Sequence, residues 1–310
     1  MRLGLFVSGP GLGPTGSWPE MVGRFSLAES KGYTSAWSAQ LFGPDPLLLS
    51  GGALTATEQI EIGTAVVTTR TRHPVVLAQE ALTLAAASGG RFTLGLGLGH
   101  RPVVERNFGL SFERPLRHLT EYVEILLALM RGERVKVAGE EYTVDASLSF
   151  PDAAPPSLLF AALGPQVLKA AGRLSDGTIT WMGGIKYLAT TAVPLINEAA
   201  SAAGRRPPRI VAGFPIAVTN RPGSALDQAA KELKLYGRMP SYKAVLDIEG
   251  ASGPTDVCVV GNESEVERYV GQIADAGVTD LVVAPLSVPE DPESQQRTVE
   301  FLAGLGVTTT

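Results

Sequence analysis

Charge of one sign never accumulates in this chain: 31 acidic and 26 basic residues are dispersed over 310 positions, for a formal net charge of -5. No basic stripe exists to neutralise phosphates, so no nucleic-acid partner is expected. Apolar runs are short, none approaching the roughly 20 residues that cross a bilayer, and no membrane partner is expected either. The run Leu3 to Val7 near the N-terminus is too short for the core of a secretion signal, which makes the cytoplasm the expected location. Cysteine is reduced to Cys258, inside the apolar stretch Val257-Cys258-Val259-Val260. A lone cysteine excludes an internal disulfide and a thiolate metal cluster, and reads as a buried, inert thiol. The three histidines, His73, His100 and His118, fall on separate segments without a carboxylate at ligand spacing, so no metal site is predicted. No serine occupies a strand-turn-helix elbow with a supporting base, which leaves no nucleophile of the hydrolase kind.

What is present is an ample core-forming composition, 45% hydrophobic against 18% charged. A chain of this length can close as one domain over residues 1–310. Short apolar strands are predicted at Arg2–Val7, Thr34–Ser38, Ile60–Val67, Phe92–Gly97, Ser157–Ala161, Gly177–Trp181, Arg209–Val218 and Thr279–Ala284. Amphipathic helices alternate with them, several opened by a proline in the first turn, as at Pro19, Pro46 and Pro74. Leu119, Tyr122, Val123, Leu126, Leu127 and Met130 form a three-four stripe that would face a sheet. Eight strands joined by helical crossovers make an α/β fold, a (β/α)8 TIM barrel with insertions. One insertion is a hairpin within 131–156, and a second is the long connection 219–277, which should carry extra helices.

Function in such a barrel belongs where strands end. Gly11-Leu12-Gly13-Pro14-Thr15-Gly16 after the first strand fits G-x-G-x-x-G, but Ser17-Trp18-Pro19 starts the helix after the glycines and the second strand ends in Trp37-Ser38-Ala39-Gln40 without an acid. The segment therefore reads as a glycine loop over the mouth and not as a dinucleotide fingerprint. In Leu94-Gly95-Leu96-Gly97-Leu98-Gly99 one face is bare backbone, which either admits a flat ring or gives bulky neighbours room. Leu163-Gly164-Pro165-Gln166, at a strand end and a helix start, either holds a phosphate on its amides or simply begins a helix. His73 reads as a capping residue and His118 as an outer-helix residue, whereas His100 at the mouth is placed to polarise or relay a proton.

Three segments in this order, IEIGTAVV at 60–67, RTRHP at 70–74 and GGRFTLGLGLG at 89–99, resemble the luciferase-like family of flavin and deazaflavin oxidoreductases. ALGPQ at 162–166, AGRLSDG at 171–177 and TWM at 180–182 are similar to that family's second block, and 236–261 is similar to an actinobacterial F420-dependent branch. The resemblance implies a luciferase-like barrel, usually a homodimer, with coenzyme F420 across its mouth; FMN is the alternative cofactor. It implies a non-proline cis peptide at Ala65-Val66 behind the ring and phosphate binding near Leu163, Gly164, Pro165 and Gln166. Trp37, Gln40, Thr64, Gly97, Leu98, Gly99, His100, Trp181 and Met182 would complete the cofactor site. Relatives that oxidise alcohols or sugars often carry Asp-His and Glu where this chain has Ala39-Gln40 and His100. The expected activity is therefore hydride transfer to a small, apolar organic substrate in the reducing direction, with Gln40 and His100 as polarising or protonating groups. The alternatives are an FMN-dependent luciferase-like monooxygenase and a non-catalytic cofactor-binding barrel.

Overall fold

The computed structural model describes residues 1–8, 16–150 and 154–306. Its strands in chain order are β1 (Arg2–Ser8), β2 (Ser35–Ser38), β3 (Glu61–Thr64), β4 (Val67–Thr68), β5 (Phe92–Gly97), β6 (Val135–Ala138), β7 (Thr143–Ala146), β8 (Ser157–Ala161), β9 (Gly177–Trp181), β10 (Arg209–Val218), β11 (Val259–Gly261) and β12 (Asp280–Pro285). The parallel pairings run β1-β2-β3-β5-β8-β9-β10-β12 and return to β1, so the sheet is closed, with β4 continuing β3 along β5. Each of the eight expected strands is present, and the structure is the expected TIM barrel.

The helices that make the crossovers are α1 (Trp18–Ser30), α2 (Pro46–Ala56), α3 (Pro74–Ser88), α4 (Arg101–Arg106), α5 (Pro115–Met130), α6 (Pro165–Leu174), α7 (Ile185–Tyr187), α8 (Val193–Ala202), α9 (Pro222–Glu232), α10 (Pro240–Glu249), α11 (Glu263–Asp275) and α12 (Ser294–Gly306). Their starts follow local chemistry. Asp45 accepts from the Leu47 and Leu48 amides at α2, His73 Nδ1 accepts from Val75 at α3, and Asn262 exchanges bonds with Glu265 at α11. His73 is thus the cap its position suggested.

Alternation divides each strand. Leu94, Leu96, Leu158 and Phe160 face the helices in the main core, while Phe6, Trp37, Leu159, Ile179, Val211 and Val282 fill the barrel's interior. Each such burial contributes about 1.5–3 kcal/mol relative to exposure. At the N-terminal end of the barrel, Arg209 bridges Glu61 at 2.9 Å and Asp280 at 2.7 Å, and Arg2 reaches Glu61 at 2.6 Å.

β6 and β7 form the expected antiparallel hairpin, held to α5 because Glu121 accepts from the Glu140, Glu141 and Tyr142 amides. The connection 219–277 carries α9, α10 and α11, as its length implied. It also contains β11, which extends the sheet beyond the barrel by pairing with the end of β10. Three residues are too few for an alternating pattern, which is why only an apolar stretch was visible there. Cys258, just before β11, is half-buried, and burial pushes its thiol up to about 12. Gly11 to Thr15, the body of the G-x-G-x-x-G match, lie outside the described residues. No described helix is long and apolar enough to cross a membrane.

Candidate active site

The site begins with a mismatch between two strands. Gly63 pairs with Thr93 and Val67 with Leu96, so β3–β4 spends one more residue than β5 over the same span, a bulge at residues 64–66. The ladder bonds that the bulge interrupts are replaced by Thr64, whose hydroxyl donates to the Gly95 carbonyl at 3.0 Å and accepts from the Gly95 amide at 2.9 Å. Neighbouring chain holds the rest: the Ala65 amide donates to Ser38 O at 2.7 Å and the Gln40 amide to Val66 O at 3.2 Å. Within this frame the Ala65-Val66 peptide is cis.

The bulge explains the glycine run. A Cβ on Gly95 would fall on the Thr64 carbonyl oxygen, and one on Gly97 would sit 2.6 Å from Val66 Cγ2. Deeper in the barrel, Gly63 makes room for the Trp37 ring and Gly4 for Ser35 and Trp37. Of the two readings open from sequence, packing room for neighbours accounts for Gly95 and Gly97. Ala65, Val66, Ala161 and Trp181 cap the interior core from the mouth side and are each half-buried.

One wall of the mouth is aromatic. Trp181 lies edge-on to Phe6 with ring centroids 5.5 Å apart, and Tyr236 is 6.4 Å from Trp181 and 4.9 Å from Tyr242. His100, between β5 and α4, faces both tyrosines at 6.3 and 5.9 Å. Burial lowers the His100 imidazole below its ordinary value, so it is neutral at pH 7. Burial also raises the Tyr236 phenol to about 12, with Trp181 opposing the rise, and raises Tyr242 well above its ordinary value. Neutral donors therefore line this wall. Next to it, Leu163 packs against the same buried cluster as Trp181 and Tyr236, and its carbonyl accepts from the Tyr187 hydroxyl at 2.5 Å.

Gly164 follows, as the residue before α6. Its own backbone is extended, it has no side-chain cap, and a Cβ there would meet nothing within 4 Å. Pro165 has no N–H to give, so the amides that α6 leaves free are those of Gln166 and Val167. This is an exposed helix start with open space in front of it, the arrangement an anion needs.

The luciferase-like monooxygenase family model matches residues 1–293. The chain belongs to that family. Among relatives, it is 30% identical over 302 residues to the F420-dependent glucose-6-phosphate dehydrogenase of Kineococcus radiotolerans, covering 85% of this chain and 86% of that protein. Among solved structures, the coenzyme F420 dependent tetrahydromethanopterin reductase of Methanopyrus kandleri superposes with a TM-score of 0.80 at 20% identity over 97% of both chains. The oxygenating constituent of 3,6-diketocamphane monooxygenase of Pseudomonas putida, in complex with FMN, superposes at 0.77 and 18% identity, over 98% of this chain and 96% of that one. At those identities the superpositions speak to the fold.

Against this luciferase-like frame most of the residues expected at the mouth fall into three groups. Ala65, Val66, Gly97 and Trp181 share the rim of the interior core. Leu98, Gly99 and His100 follow as the turn into α4, with Gly99 at φ 72° beside Thr68 and Val104. Leu163 to Gln166 form the neighbouring helix start. Trp37 and Thr64 sit lower than expected. Both are fully buried, Trp37 donating its indole N–H to Ser35 Oγ at 2.9 Å, so they support the site from beneath. Met182 is also buried, at φ 51°, among Tyr242, Met239 and Leu246.

Gln40 departs most from its expected role. Its amide oxygen accepts from the Thr68 amide at 2.9 Å, the Thr68 hydroxyl at 3.2 Å and Arg72 at 3.0 Å, and its amide nitrogen donates to Thr71 at 3.3 Å. With those bonds in place it braces the bulge and the loop after it, which is a positioning task and not proton transfer. His118 joins the same region: it is buried, bonded to Thr69 at 2.9 Å and Tyr142 at 3.2 Å, and burial drops its imidazole to about 4.

Tyr236 and Tyr242 were not singled out as site residues from sequence, although both lie in the segment that carried the branch resemblance. Their positions in the long connection gave no strand end to read. Only folding brings that connection back over the β5 and β9 ends. Glu249 fixes it there by accepting from the Lys186 and Tyr187 amides at 3.0 and 2.7 Å.

Proposed function

We propose that this protein is an F420-dependent oxidoreductase that transfers a hydride between the deazaflavin ring and a small, apolar organic substrate, in the reducing direction. The observation that carries the reading is the pairing of an open helix start at Gly164–Val167 with the aromatic wall of Trp181, Tyr236, Tyr242 and His100 around the Ala65-Val66 rim. Family membership and likeness to an F420-dependent dehydrogenase support it. The residues fit the group on this chain's own terms: free amides and open space for a phosphate, and a half-buried apolar rim for a flat ring.

When bound, the deazaflavin supplies the two-electron hydride chemistry, and the protein supplies position and electrostatics. The Gln166 and Val167 amides hold the phosphate, helped by the α6 dipole. Ala65 and Val66 back the ring, and the region Gly97 to His100 lines its edge. Thr64 and Gln40 keep that backing in place, and Trp181 with the tyrosines excludes water. The apolar rings of Trp181, Tyr236 and Tyr242 support an apolar substrate, and their N–H and O–H donors suit reduction, in which the substrate oxygen must gain a proton. A buried indole N–H left without a partner at this wall, with the Tyr236 ring beside it, also speaks for turnover and against a mere storage barrel.

Titration of the purified protein with F420 and, separately, FMN, followed by the fluorescence of each, tests the reading. Preference for F420 supports it. Preference for FMN with oxygen uptake would replace it with a flavin monooxygenase on the same fold. A Gly164→Asp variant sharpens the result. The side chain enters open space at an extended backbone, so the melting temperature should stay within a degree or two of wild type. A carboxylate in front of the α6 amides should weaken F420 binding by roughly 10- to 100-fold through like-charge repulsion. Unchanged affinity would place the phosphate elsewhere.

The protein is also proposed to be a homodimer. Leu41, Phe42, Leu48, Val76 and Phe108 are all exposed, with Phe42 at 71% and stacked on Phe108 at 5.9 Å. An apolar group of this kind on the adjoining α2 and α3 side suits a second copy. Phe42→Asp should convert a dimer to a monomer in sedimentation equilibrium at micromolar concentration. A wild-type monomer, or an unaffected dimer, would remove this face from consideration.

A further inference from the structure

We propose that Tyr236 and Trp181 form a paired donor site for a carbonyl oxygen of the substrate, with Tyr236 the group that delivers the proton, an assignment that rests on the hydride-transfer reading above. Buried polar groups are normally partnered. The other enclosed tyrosines mostly obey: Tyr33 donates to Val299 O at 2.9 Å, Tyr187 to Leu163 O, and Tyr142 meets His118 Nδ1. Tyr122, whose hydroxyl is unpartnered, stands apart from the mouth between α5 and the hairpin.

At the mouth one group breaks the rule, the buried indole nitrogen of Trp181. Around it stand three further polar rings: Tyr236 with its centroid 6.4 Å from Trp181, Tyr242 4.9 Å from Tyr236, and His100 within 6.3 Å of both tyrosines. The Trp181 N–H comes close enough to the Tyr236 phenol to act on its proton affinity, yet falls short of a hydrogen bond in length or angle. Two neutral N–H and O–H donors side by side match an oxygen with two lone pairs and a partial charge. That description fits an aldehyde, ketone or enone, and fits a carboxylate or phosphate poorly, because among the described residues no cation sits over either ring.

The pair is held rigidly. Tyr236 opens the short turn Tyr236–Arg238 before α10, Gly237 abuts Pro254, and α10 is pinned at its far end by Glu249. In the reaction a C–H bond forms as hydride reaches the carbonyl carbon, or the β-carbon of an enone, and the π bond breaks. The oxygen takes the Tyr236 proton to give the alcohol or enol, and the phenolate recovers a proton from water. The carbonyl compound is reduced by two electrons and reduced F420 is oxidised by two.

The test uses 4-(dimethylamino)cinnamaldehyde, whose absorption moves to the red when its carbonyl is hydrogen-bonded. Mixed with protein holding oxidised F420, it cannot be turned over, so the spectrum reads polarisation alone. Wild type should shift the band, Tyr236→Phe should lose more than half of the shift, and Tyr33→Phe, remote from the mouth, should keep it. A wild-type spectrum without a shift, or a Tyr236→Phe spectrum equal to wild type, overturns the proposal. With reduced F420, Tyr236→Phe should also lower kcat on the same aldehyde by about 10²- to 10⁴-fold with a smaller change in KM, the range of general-acid contributions. A kcat within a few-fold of wild type overturns it as well. Failure of F420 to bind, read by its fluorescence, would sink the cofactor reading separately, and the aldehyde shift with the apoprotein would still decide the donor pair.

Discussion

Replacing Gly95 by alanine should lower stability by about 3 kcal/mol and weaken F420 binding in the same variant. The new methyl would be built onto the Thr64 carbonyl oxygen, with Val66 Cγ1 a further 3.1 Å neighbour. The obstructing atom is backbone, held by the Thr64–Gly95 pair of hydrogen bonds, so no rotamer change relieves the clash. Overpacking usually costs about 1–3 kcal/mol, and a backbone collision belongs at the upper end. Relief requires the 64–66 bulge to move, which displaces the rim on which the ring is proposed to rest. A thermal melt and an F420 titration of one sample measure both effects, and Gly271→Ala, entering open space on α11, is the control expected to lose neither. If Gly95→Ala melts like wild type, the account of the glycine run is wrong.

Arg209→Met should cost about 3–5 kcal/mol, because it strands carboxylates that the barrel's N-terminal end has desolvated. Asp280 is 2% exposed at its side chain and Glu61 14%, and Arg209 bonds to both. Arg2 also reaches both, at 2.6 and 3.3 Å, but is 43% exposed and replaces only part of the loss. Adding Asp280→Asn to the Arg209→Met background should restore part of the stability, since the uncompensated charge is then gone.

The pH dependence has a definite sign. Burial alone would raise the Glu61 carboxyl, but Arg209, Thr93 and Arg2 outweigh it and hold it below 4.5. A carboxyl depressed in the folded state contributes stability that is complete above its unfolded value and is lost as pH falls through the folded one. Wild type should therefore hold its Glu61 contribution down to about pH 4.5 and lose it below. In Arg209→Met the carboxyl is no longer depressed to the same degree, so this acid-side loss should shrink. Melting temperatures between about pH 3 and 7 measure it. An identical acid profile in the two proteins would mean that Arg209 does not set the Glu61 proton affinity.

The barrel was readable because its information is local. Short apolar runs gave the strands, and prolines in the first turn such as Pro19, Pro46 and Pro74 gave the helix starts. The resemblance carried by residues 60–99 and 162–182 located the rim, including the peptide at Ala65-Val66 that is cis. β11 escaped because it is three residues long and is stabilised by the edge it pairs with, not by its own pattern.

Side-chain roles were far less legible. Gln40 has the same appearance in sequence whether it points at a substrate or is locked to Thr68, Thr71 and Arg72, and only the loop that folds beside it selects the second. The glycines at 95 and 97 were ambiguous for a similar reason, since the atoms that occupy their open faces come from residues 64–66 on another strand. Tyr236 and Tyr242 lie more than 50 residues beyond Trp181 and over 130 beyond His100 in number, yet share one wall with them. The chain's alternation and capping thus determined which elements form and that they close into a barrel, because those preferences act over a few residues. Which side chains remain without partners at the mouth was decided by the three-dimensional fold, because a hydrogen bond is satisfied or left open by whatever distant segment arrives beside it.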